Sequence, residues 1–136
     1  MRKKAVPFGD AMGMEVAFSN VMSVDITDDT RYAWVSGQLA FDENGEIVGK
    51  GNMGLQVEQC IKNIEKALKE VGACLDDIVK VIVFVKDMKD LHEIHNVRLK
   101  YFNKPYPTST LVQVTDFVNP DGLIEIQAEA VYRIKK

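Results

Sequence analysis

A run of apolar side chains with helical spacing, between residues 52 and 72, constrains the fold more than any other feature of this sequence. The apolar positions recur every three or four residues and are Val57, Cys60, Ile61, Ile64, Ala67, Leu68 and Val71. The opposite side is charged, and Glu58 lies four residues before Lys62, which is a favourable helical pair. Gly72 can end the helix because glycine readily adopts a left-handed backbone conformation. The pattern predicts an amphipathic helix whose apolar side packs against another layer of the protein.

Sequence patterns typical of β-strands lie on both sides of this helix. Residues 21–27 and 31–38 precede it, and apolar and polar side chains alternate in the first of the two. Asn-Gly at residues 44–45 is typical of a tight hairpin turn and predicts a short third strand at residues 46–48. Residues 78–85 follow the helix and are almost all β-branched or aromatic, which predicts a strand covered on much of both faces.

A second helix and two further strands complete the predicted order. This helix begins near Asp90, whose carboxylate can cap it together with Glu93 three residues later. Pro105 ends it, and residues 110–115 and 123–132 are predicted to be the last two strands. The order is therefore β-β-β-α-β-α-β-β, which predicts an α+β fold with one sheet and two helices packed on one face.

The remaining segments predict the domain organisation and the assembly. Residues 1–20 lack a clear period and are expected to form an irregular N-terminal arm of a single domain spanning residues 1–136. One face of the sheet has no helix to cover it, and we expect Val81, Val83, Val85 and Leu111 to lie there. An apolar face of this kind favours a homo-oligomer, in which identical copies cover it.

Charge and composition argue against several classes of partner. The net charge is −3 at pH 7 and no long basic run is present, so we expect no nucleic-acid partner. No segment approaches the ~18 apolar residues of a membrane-spanning helix, and the N-terminus lacks the apolar stretch of a signal peptide. Cys60 and Cys74 have no redox-motif spacing, which favours a reducing compartment. Together these features predict a cytoplasmic protein with no membrane partner.

Familiar cofactor and metal motifs are missing from the sequence. The glycines between residues 45 and 54 match neither a phosphate-binding loop nor a dinucleotide fingerprint. His92 and His95 lie three residues apart on one predicted helix but lack a neighbouring set of ligands. We therefore predict that no metal and no cofactor take part in the function.

Several short blocks, in a constant order, resemble the Rid family, also called the YjgF/YER057c/UK114 family, of imine and enamine deaminases. Together they cover roughly residues 21–132. The blocks are residues 35–38, 42–49, 75–80, 84–88, 101–102, 107–110 and 124–128. The resemblance implies a chorismate-mutase-like fold, a barrel-shaped homotrimer, and ligand clefts between the subunits.

This sequence differs from the family pattern at residue 109. Family members that act on 2-imino and 2-enamino acids have a Pro-x-Arg-Ser pattern, whose arginine grips the substrate carboxylate through a planar fork of donors. Here the aligned residue is Ser109, which supplies one hydrogen bond and no charge. Arg98 or Arg31 could replace the missing cation, or each could be an ordinary solvated arginine. His95 stands where many relatives have asparagine, and the family's Gly-Pro-Tyr-Ser block is replaced by residues 8–11.

Glu125 matches the acidic position of the family, where a carboxylate can orient or deprotonate the attacking water. Ile124 and Ile126 point to the other face of the strand, so burial could raise the pKa of Glu125. The alternative is an ordinary solvent-facing glutamate, as Glu129 is expected to be. The candidate substrate-binding residues are Gly37, His95, Arg98, Ser109, Thr110 and Val112.

The predicted function follows from two positions: Glu125, which matches the acid of the family, and Ser109, which replaces the family's carboxylate-binding arginine. The first hypothesis is a hydrolase or deaminase of the Rid type, acting on an imine, an enamine or a related small metabolite without the arginine anchor. The alternative is a non-catalytic trimeric module that binds a metabolite or a protein. An endoribonuclease or translation-inhibitor role, attached to some relatives by name, is disfavoured by the acidic charge.

Overall fold

The computed structural model describes residues 2–11 and 13–135; Met1, Met12 and Lys136 lie outside the described residues. Within the described part, the strands are β1 (Lys3–Pro7), β2 (Asp10–Ala11), β3 (Met14–Glu15), β4 (Ser19–Asp25), β5 (Thr30–Gln38), β6 (Ile78–Val85), β7 (Thr108–Gln113) and β8 (Ile124–Arg133). The two α-helices of that part are α1 (Met53–Glu70) and α2 (Leu91–Tyr101).

One mixed sheet organises the described chain. Its strand order is β1-β4-β5-β8-β6-β7, and β2 pairs with β3 as a separate ribbon. Every pairing in the large sheet is antiparallel except that of β6 with β7, which is parallel. The parallel pair requires a crossover connection, and α2 supplies it. The predicted α+β fold, with two helices on one face of a sheet, is confirmed.

Helix α1 forms where the apolar period predicted it. Asn52 caps its start, because the Asn52 side chain accepts a hydrogen bond from the Leu55 backbone N–H. Gly72 follows its end with φ of +85°, in the left-handed region that favours glycine. The apolar side packs on β8 and β5, and Ile61, Ile64 and Leu68 have no exposed surface. Burial of this side is the main source of the stability of the helix.

Alternation along β8 sets the two faces of the sheet. Ile124, Ile126 and the alanines at 128 and 130 are buried under the helices, whereas the residues between them are more exposed. Tyr132 continues the buried row and donates a hydrogen bond from its hydroxyl to the Val71 carbonyl, at 2.7 Å. The core therefore lies between the sheet and α1, and the second face of the sheet carries no helix.

The prediction of an irregular N-terminal arm was wrong for most of residues 2–20. β1 pairs with β4 in an antiparallel ladder from Lys3 to Pro7, so this segment is an edge strand of the main sheet. Its side chains are mostly exposed, so it has no buried face to produce an apolar period. Backbone pairing and the partly buried Val6 side chain hold it, and the ring centroids of Phe8 and Phe18 beyond it lie 4.9 Å apart.

Two predicted local features also differ from the structure. Residues 46–48 form only an isolated bridge between Phe41 and Ile47, because the Asp42 carboxylate accepts the backbone N–H groups of the turn itself. The Asp90 side chain makes no capping bond at the start of α2. Glu93 Oε1 instead accepts a hydrogen bond from the Gly54 N–H at 3.0 Å, and so ties α2 to the start of α1.

The uncovered face of the sheet holds different residues from those predicted. Val81, Val83 and Val85 face the helices and are buried there, and Leu111 packs against the same core. Because side chains alternate along a strand, the open face carries the residues between them. Its apolar members are Tyr32, Trp34, Ile82, Phe84, Val112 and Val131. In the described part of the chain, no helix is long and apolar enough to cross a membrane.

Candidate active site

A bulge in β5 brings the backbone against an acidic side chain of β8. Val35 pairs with Ala128 and Gln38 pairs with Ile126, so Ser36 and Gly37 together face a single residue of β8. Such a bulge bends the strand and changes the direction of the residues within it. Gln38 turns inward, and its side-chain amide donates to Asn20 Oδ1 and to the Ser36 carbonyl, each at 2.9 Å.

The consequence is a close approach between Gly37 and Glu125. A Cβ atom at position 37 would lie 2.8 Å from both Cδ and Oε2 of Glu125. That is shorter than a van der Waals contact, so the position accommodates the carboxyl group only because glycine has no side chain. Gly37 was predicted to bind substrate; the structure brings its backbone against Glu125, and substrate binding at Gly37 stays a prediction.

The Glu125 carboxylate is half-buried and lacks a compensating cation. Among the residues that the structure describes, no lysine, arginine or histidine lies within ion-pair distance of it. Burial raises the pKa of Glu125, because the charged form loses water without gaining a partner. Glu129, on the same face, differs because it pairs with Lys80 at 3.7 Å. Glu125 is therefore the carboxylate of this face whose protonated form is favoured by its surroundings, which suits a general acid–base group.

Two rows of side chains extend from Glu125 towards the edge of the sheet. Glu125 is opposite Phe84, which in turn is opposite Val112 on β7. The next row runs from β8 through Ile82 to Thr110. Thr110 and Val112 thus share the open face with Glu125, in a surface that is apolar around one acid.

Ser109 lies on the opposite side of β7 from Thr110. Its register partner is Val81, which is buried under the helices, so Ser109 is on the helix side of the edge strand. The structure therefore does not place the Ser109 side chain on the face that carries Glu125.

His95 and Arg98 line a cavity on that helix side. It has a volume of about 270 Å³, lies between α2 and the segment before β7, and includes Pro107 in its wall. By strand geometry, Pro107 and Glu125 are on the order of 20 Å apart, two strands across and about five residues along. Within one chain, the predicted site residues thus fall into two groups: Gly37, Glu125, Thr110 and Val112 on the open face, and His95 and Arg98 beneath the sheet.

Arg31 takes part in neither group. Its Nε lies 2.6 Å from Asp25 Oδ1, and its strand neighbour on β8 is Tyr132, at the end of the sheet remote from Glu125. The aspartate also raises the pKa of Arg31 through a hydrogen bond. Arg31 is therefore engaged in a structural ion pair.

The sequence profile of one protein family, described as Endoribonuclease L-PSP, matches residues 10–132 of the chain. The chain belongs to the Endoribonuclease L-PSP family. This is the Rid family that the sequence blocks resembled, so that prediction is confirmed.

Relatives and solved structures agree with this membership. A RutC family protein of Pyrococcus abyssi is 40% identical over 73% of this chain and 77% of its own length. The 3-aminoacrylate deaminase RutC of Acinetobacter baylyi is 34% identical over 79% of this chain and 84% of its own. A crystal structure of a YjgF/YER057c/UK114 family member from Mycobacterium tuberculosis superposes with a TM-score of 0.80 at 26% identity, covering 96% of this chain and 99% of that one.

The structure also identifies a positioning residue of this family member that sequence reasoning missed. Gln56 is fully buried on the apolar side of α1. Its side-chain amide donates to the Gly49 and Asp121 carbonyls, at 3.1 and 3.0 Å, and its carbonyl accepts from the Leu123 N–H at 2.8 Å. Gln56 thus fixes the segment that leads directly into Glu125. A polar residue within an otherwise apolar helical stripe was the available signal.

Metal ligands do not cluster around this site. In residues 2–11 and 13–135, no group of three or more histidine, cysteine, aspartate or glutamate side chains could hold a metal ion. The chemistry that the described site offers is therefore that of one carboxyl group of raised pKa on an apolar surface.

Proposed function

We propose that this chain hydrolyses a small imine or enamine to a carbonyl compound and ammonia, with Glu125 as its acid–base group. The observation that carries the proposal is the half-buried carboxyl group of Glu125, without a cation and pressed against the Gly37 backbone. Family membership and the relative named 3-aminoacrylate deaminase support a deaminase-type role. The specific substrate and the turnover are our proposal.

Glu125 has two tasks in the proposed reaction. For an enamine, the protonated form of Glu125 donates its proton to the β-carbon. The C=C electrons form the new C–H bond, and the nitrogen lone pair forms the C=N bond of the iminium ion. The carboxylate then removes a proton from water as the water oxygen bonds to the iminium carbon. The C=N electrons move onto nitrogen, which forms a carbinolamine. Glu125 then gives the proton taken from water to the amine nitrogen. As the C–N bond breaks and ammonia leaves, the carboxylate accepts the hydroxyl proton, so that the carbonyl product forms and Glu125 is protonated again. A raised pKa suits both tasks, because burial favours the protonated form that donates and makes the carboxylate a stronger base.

The proposed assembly is a homotrimer in which a neighbouring copy covers the open face. Trp34 and Val112 are 40% and 39% exposed there, and Phe84 lies beside Glu125. A covering copy would bury this apolar surface and exclude bulk water from the acid. We place the protein in the cytoplasm, where its free cysteines would stay reduced.

Direct assay of ammonia release tests the proposal. 2-Iminobutyrate, 3-aminoacrylate and a longer enamine such as 2-aminomuconate are generated in situ, and their decay is followed with and without the protein. We expect acceleration over the free reaction for at least one of them, lost in Glu125→Gln. A rate equal to the free reaction across this set would reject the deaminase function.

The second candidate function is a non-catalytic trimeric module that binds a metabolite or a protein. The observation that favours it is Ser109, which leaves the family's arginine position without a charge. A thermal-shift screen with the products and stable analogues separates the two functions, because a binder is stabilised by ligands that remain chemically unchanged. The family is described as Endoribonuclease L-PSP, but a net charge of −3 at pH 7 disfavours binding of RNA phosphates.

A further inference from the structure

Side chains join β4 and β5 at the point where the backbone ladder between these strands ends. The ladder ends at Val35, although β5 continues to Gln38. Beyond it, the Ser36 hydroxyl donates a hydrogen bond to the Ser19 carbonyl at 2.6 Å, and Gln38 Nε2 donates to Asn20 Oδ1 at 2.9 Å. Side-chain hydrogen bonds therefore hold the bulge of β5 to β4.

Gln38 makes a second hydrogen bond inside the bulge itself. The same Nε2 donates to the Ser36 carbonyl at 2.9 Å, so one amide reaches across to β4 and back over Gly37. Gln38 is only 9% exposed, so water competes little with these bonds. Because a bulge removes backbone groups from the ladder, those groups need partners of another kind. Gln38 supplies such a partner to the Ser36 carbonyl.

The position of the bulge sets the surroundings of Glu125. The Gly37 main chain lies against the Glu125 carboxyl group and forms one side of its half-buried environment. Ser36 and Gly37 together face a single residue of β8, so the regular pairing with β8 is interrupted there. A bulge that moved away from β8 would let water reach the carboxyl group.

We infer that Gln38 is a positioning residue of the proposed reaction, because it holds the Gly37 backbone against Glu125 and so keeps bulk water from the acid. Gln38 acts through its hydrogen bonds to Asn20 and Ser36, and its own side chain has no part in the chemical steps. The inference rests on the proposed function, in which Glu125 is the acid–base group. It adds the residue that controls the environment of that acid.

Charged groups around Glu125 are few and are already engaged. On its own strand, Glu129 pairs with Lys80 of β6, and Lys86 beyond β6 pairs with an aspartate at 3.1 Å. Cys60 of α1 is buried, and both its burial and the charge of Glu125 raise its pKa. Residues 19–22, 35–38 and 108–113, on the neighbouring strands, include no ionisable side chain. A relaxed bulge would therefore change Glu125 chiefly by admitting water.

NMR titration of the Glu125 carboxyl carbon tests the inference without a substrate. The native assembly is labelled with ¹³C at the glutamate side-chain carboxyl groups, and the Glu125 signal is assigned by its loss in Glu125→Gln. Gln38→Leu removes both hydrogen bonds, so the pKa of Glu125 should fall towards the ordinary glutamate value of about 4.3. An identical Glu125 titration in Gln38→Leu and the wild type would overturn the inference.

Tyr132→Phe is the control for general destabilisation. It removes the 2.7 Å hydrogen bond from the Tyr132 hydroxyl to the Val71 carbonyl, at the far end of the strand that carries Glu125. This variant should lose stability yet keep the wild-type titration of Glu125. A shift equal to that of Gln38→Leu would show that any loosening of the sheet moves this pKa, and would refute a specific role of Gln38.

Kinetics with an imine substrate separate a positioning role from a structural one. Gln38→Leu should lower kcat by about tenfold to a hundredfold with little change in KM, because the acid is misplaced while substrate contacts remain. The acidic limb of its kcat/KM profile should move to lower pH. An unchanged kcat would contradict the inference. A wild type without deaminase activity would instead reject the proposed function, and the carboxyl titration would still decide whether Gln38 sets the environment of Glu125.

Asn20→Ala covers the case in which Gln38→Leu fails to fold. It removes one of the two acceptors of Gln38 from a partly buried site, so the pKa of Glu125 should fall in the same direction by a smaller amount. No shift in Asn20→Ala would then overturn the inference. Where both variants fold, the double variant should shift by less than the sum of the two, because both substitutions act on one amide. Additive shifts would contradict the link through Asn20.

Discussion

The Cβ position of Gly37 and the carboxyl carbon of Glu125 are 2.8 Å apart, so position 37 can carry no side chain while the acid keeps its place. The bulge in β5 creates this approach by setting Ser36 and Gly37 against one residue of β8. The acid is thereby packed against main chain on one side and next to Phe84 on the other. The bulge in β5 therefore helps to position Glu125, the carboxylate of the open face that is half-buried and has no ion-pair partner among the described residues.

Gly37→Ala should impair activity while sparing the fold. The colliding atoms belong to the free end of the Glu125 side chain, which can rotate away, so we expect a change of less than about 1 kcal/mol in the free energy of unfolding. Displacement of the carboxyl group should lower the deaminase rate by about a hundredfold. Urea denaturation and the ammonia-release assay measure the two effects.

Gly54→Ala is the matched control for that substitution. A Cβ at position 54 would lie 2.6 Å from Glu93 Oε1, which is a comparable glycine–glutamate contact remote from the site. Full activity is expected in Gly54→Ala, because Glu93 serves only to join the two helices. Equal loss of activity in both variants would show that general loosening of the fold, and not the position of Glu125, is responsible.

Glu125→Gln should abolish the catalytic advantage and alter the pH profile. Removal of a general acid–base group typically costs 10²–10⁴-fold in rate. With an imine as substrate, wild-type activity should fall as the pH drops through the raised pKa of Glu125, because the carboxylate that activates water is lost. The profile of kcat/KM against pH checks this, and a wild-type profile without an acidic limb would contradict the assigned role.

The same substitution should stabilise the protein at neutral pH. The pKa of Glu125 is higher in the folded chain than in the unfolded chain, so the folded state binds this proton more tightly. That contribution to stability is present below the unfolded pKa and is lost as the pH rises through the folded value. Glu125→Gln should therefore melt at a higher temperature than the wild type at pH 7, and the difference should vanish below about pH 4. A lower melting temperature for the variant at pH 7 would reveal a compensating partner.

Gln56→Leu should destabilise the fold. It removes three hydrogen bonds and leaves the Gly49 and Asp121 carbonyls and the Leu123 N–H without their partner in a partly buried site. Each such group typically costs about 1–3 kcal/mol, so the free energy of unfolding should drop by several kcal/mol. Gln59→Leu, on a less buried position of the same helix, should cost less than about 1 kcal/mol. Urea denaturation of the two variants side by side decides the point.

Trp34→Glu should disrupt the proposed trimer. Trp34 stacks on Tyr32 with ring centroids 4.4 Å apart on the open face, and a charge there would oppose burial against another copy. Sedimentation should show smaller species for this variant and trimers for the wild type. Val118→Glu, at a position that is 73% exposed, is expected to assemble normally. A wild-type monomer would contradict the proposal.

Local sequence patterns determined the helices and the central strands of this protein. The apolar period of α1 and the β-branched run of β6 record which faces are buried, so their boundaries were predicted to within a few residues. The ordered blocks between residues 21 and 132 likewise indicated the family, which is confirmed, whereas Gly37 and Glu125 remain predicted site residues. The helices and the central strands could be predicted because burial of one face leaves a regular apolar pattern in the sequence.

Only the tertiary structure decided how distant segments pair. β1 is mostly exposed and therefore shows no apolar period in the sequence. It forms a strand because its backbone pairs with the edge of β4. The register of β7 put Ser109 beneath the sheet and Val112 above it, because a strand alternates its side chains from residue to residue. The bulge that presses Gly37 on Glu125 and the cavity around Arg98 likewise arise between elements far apart in the chain. Their physical cause is long-range backbone pairing and packing, which no local period encodes.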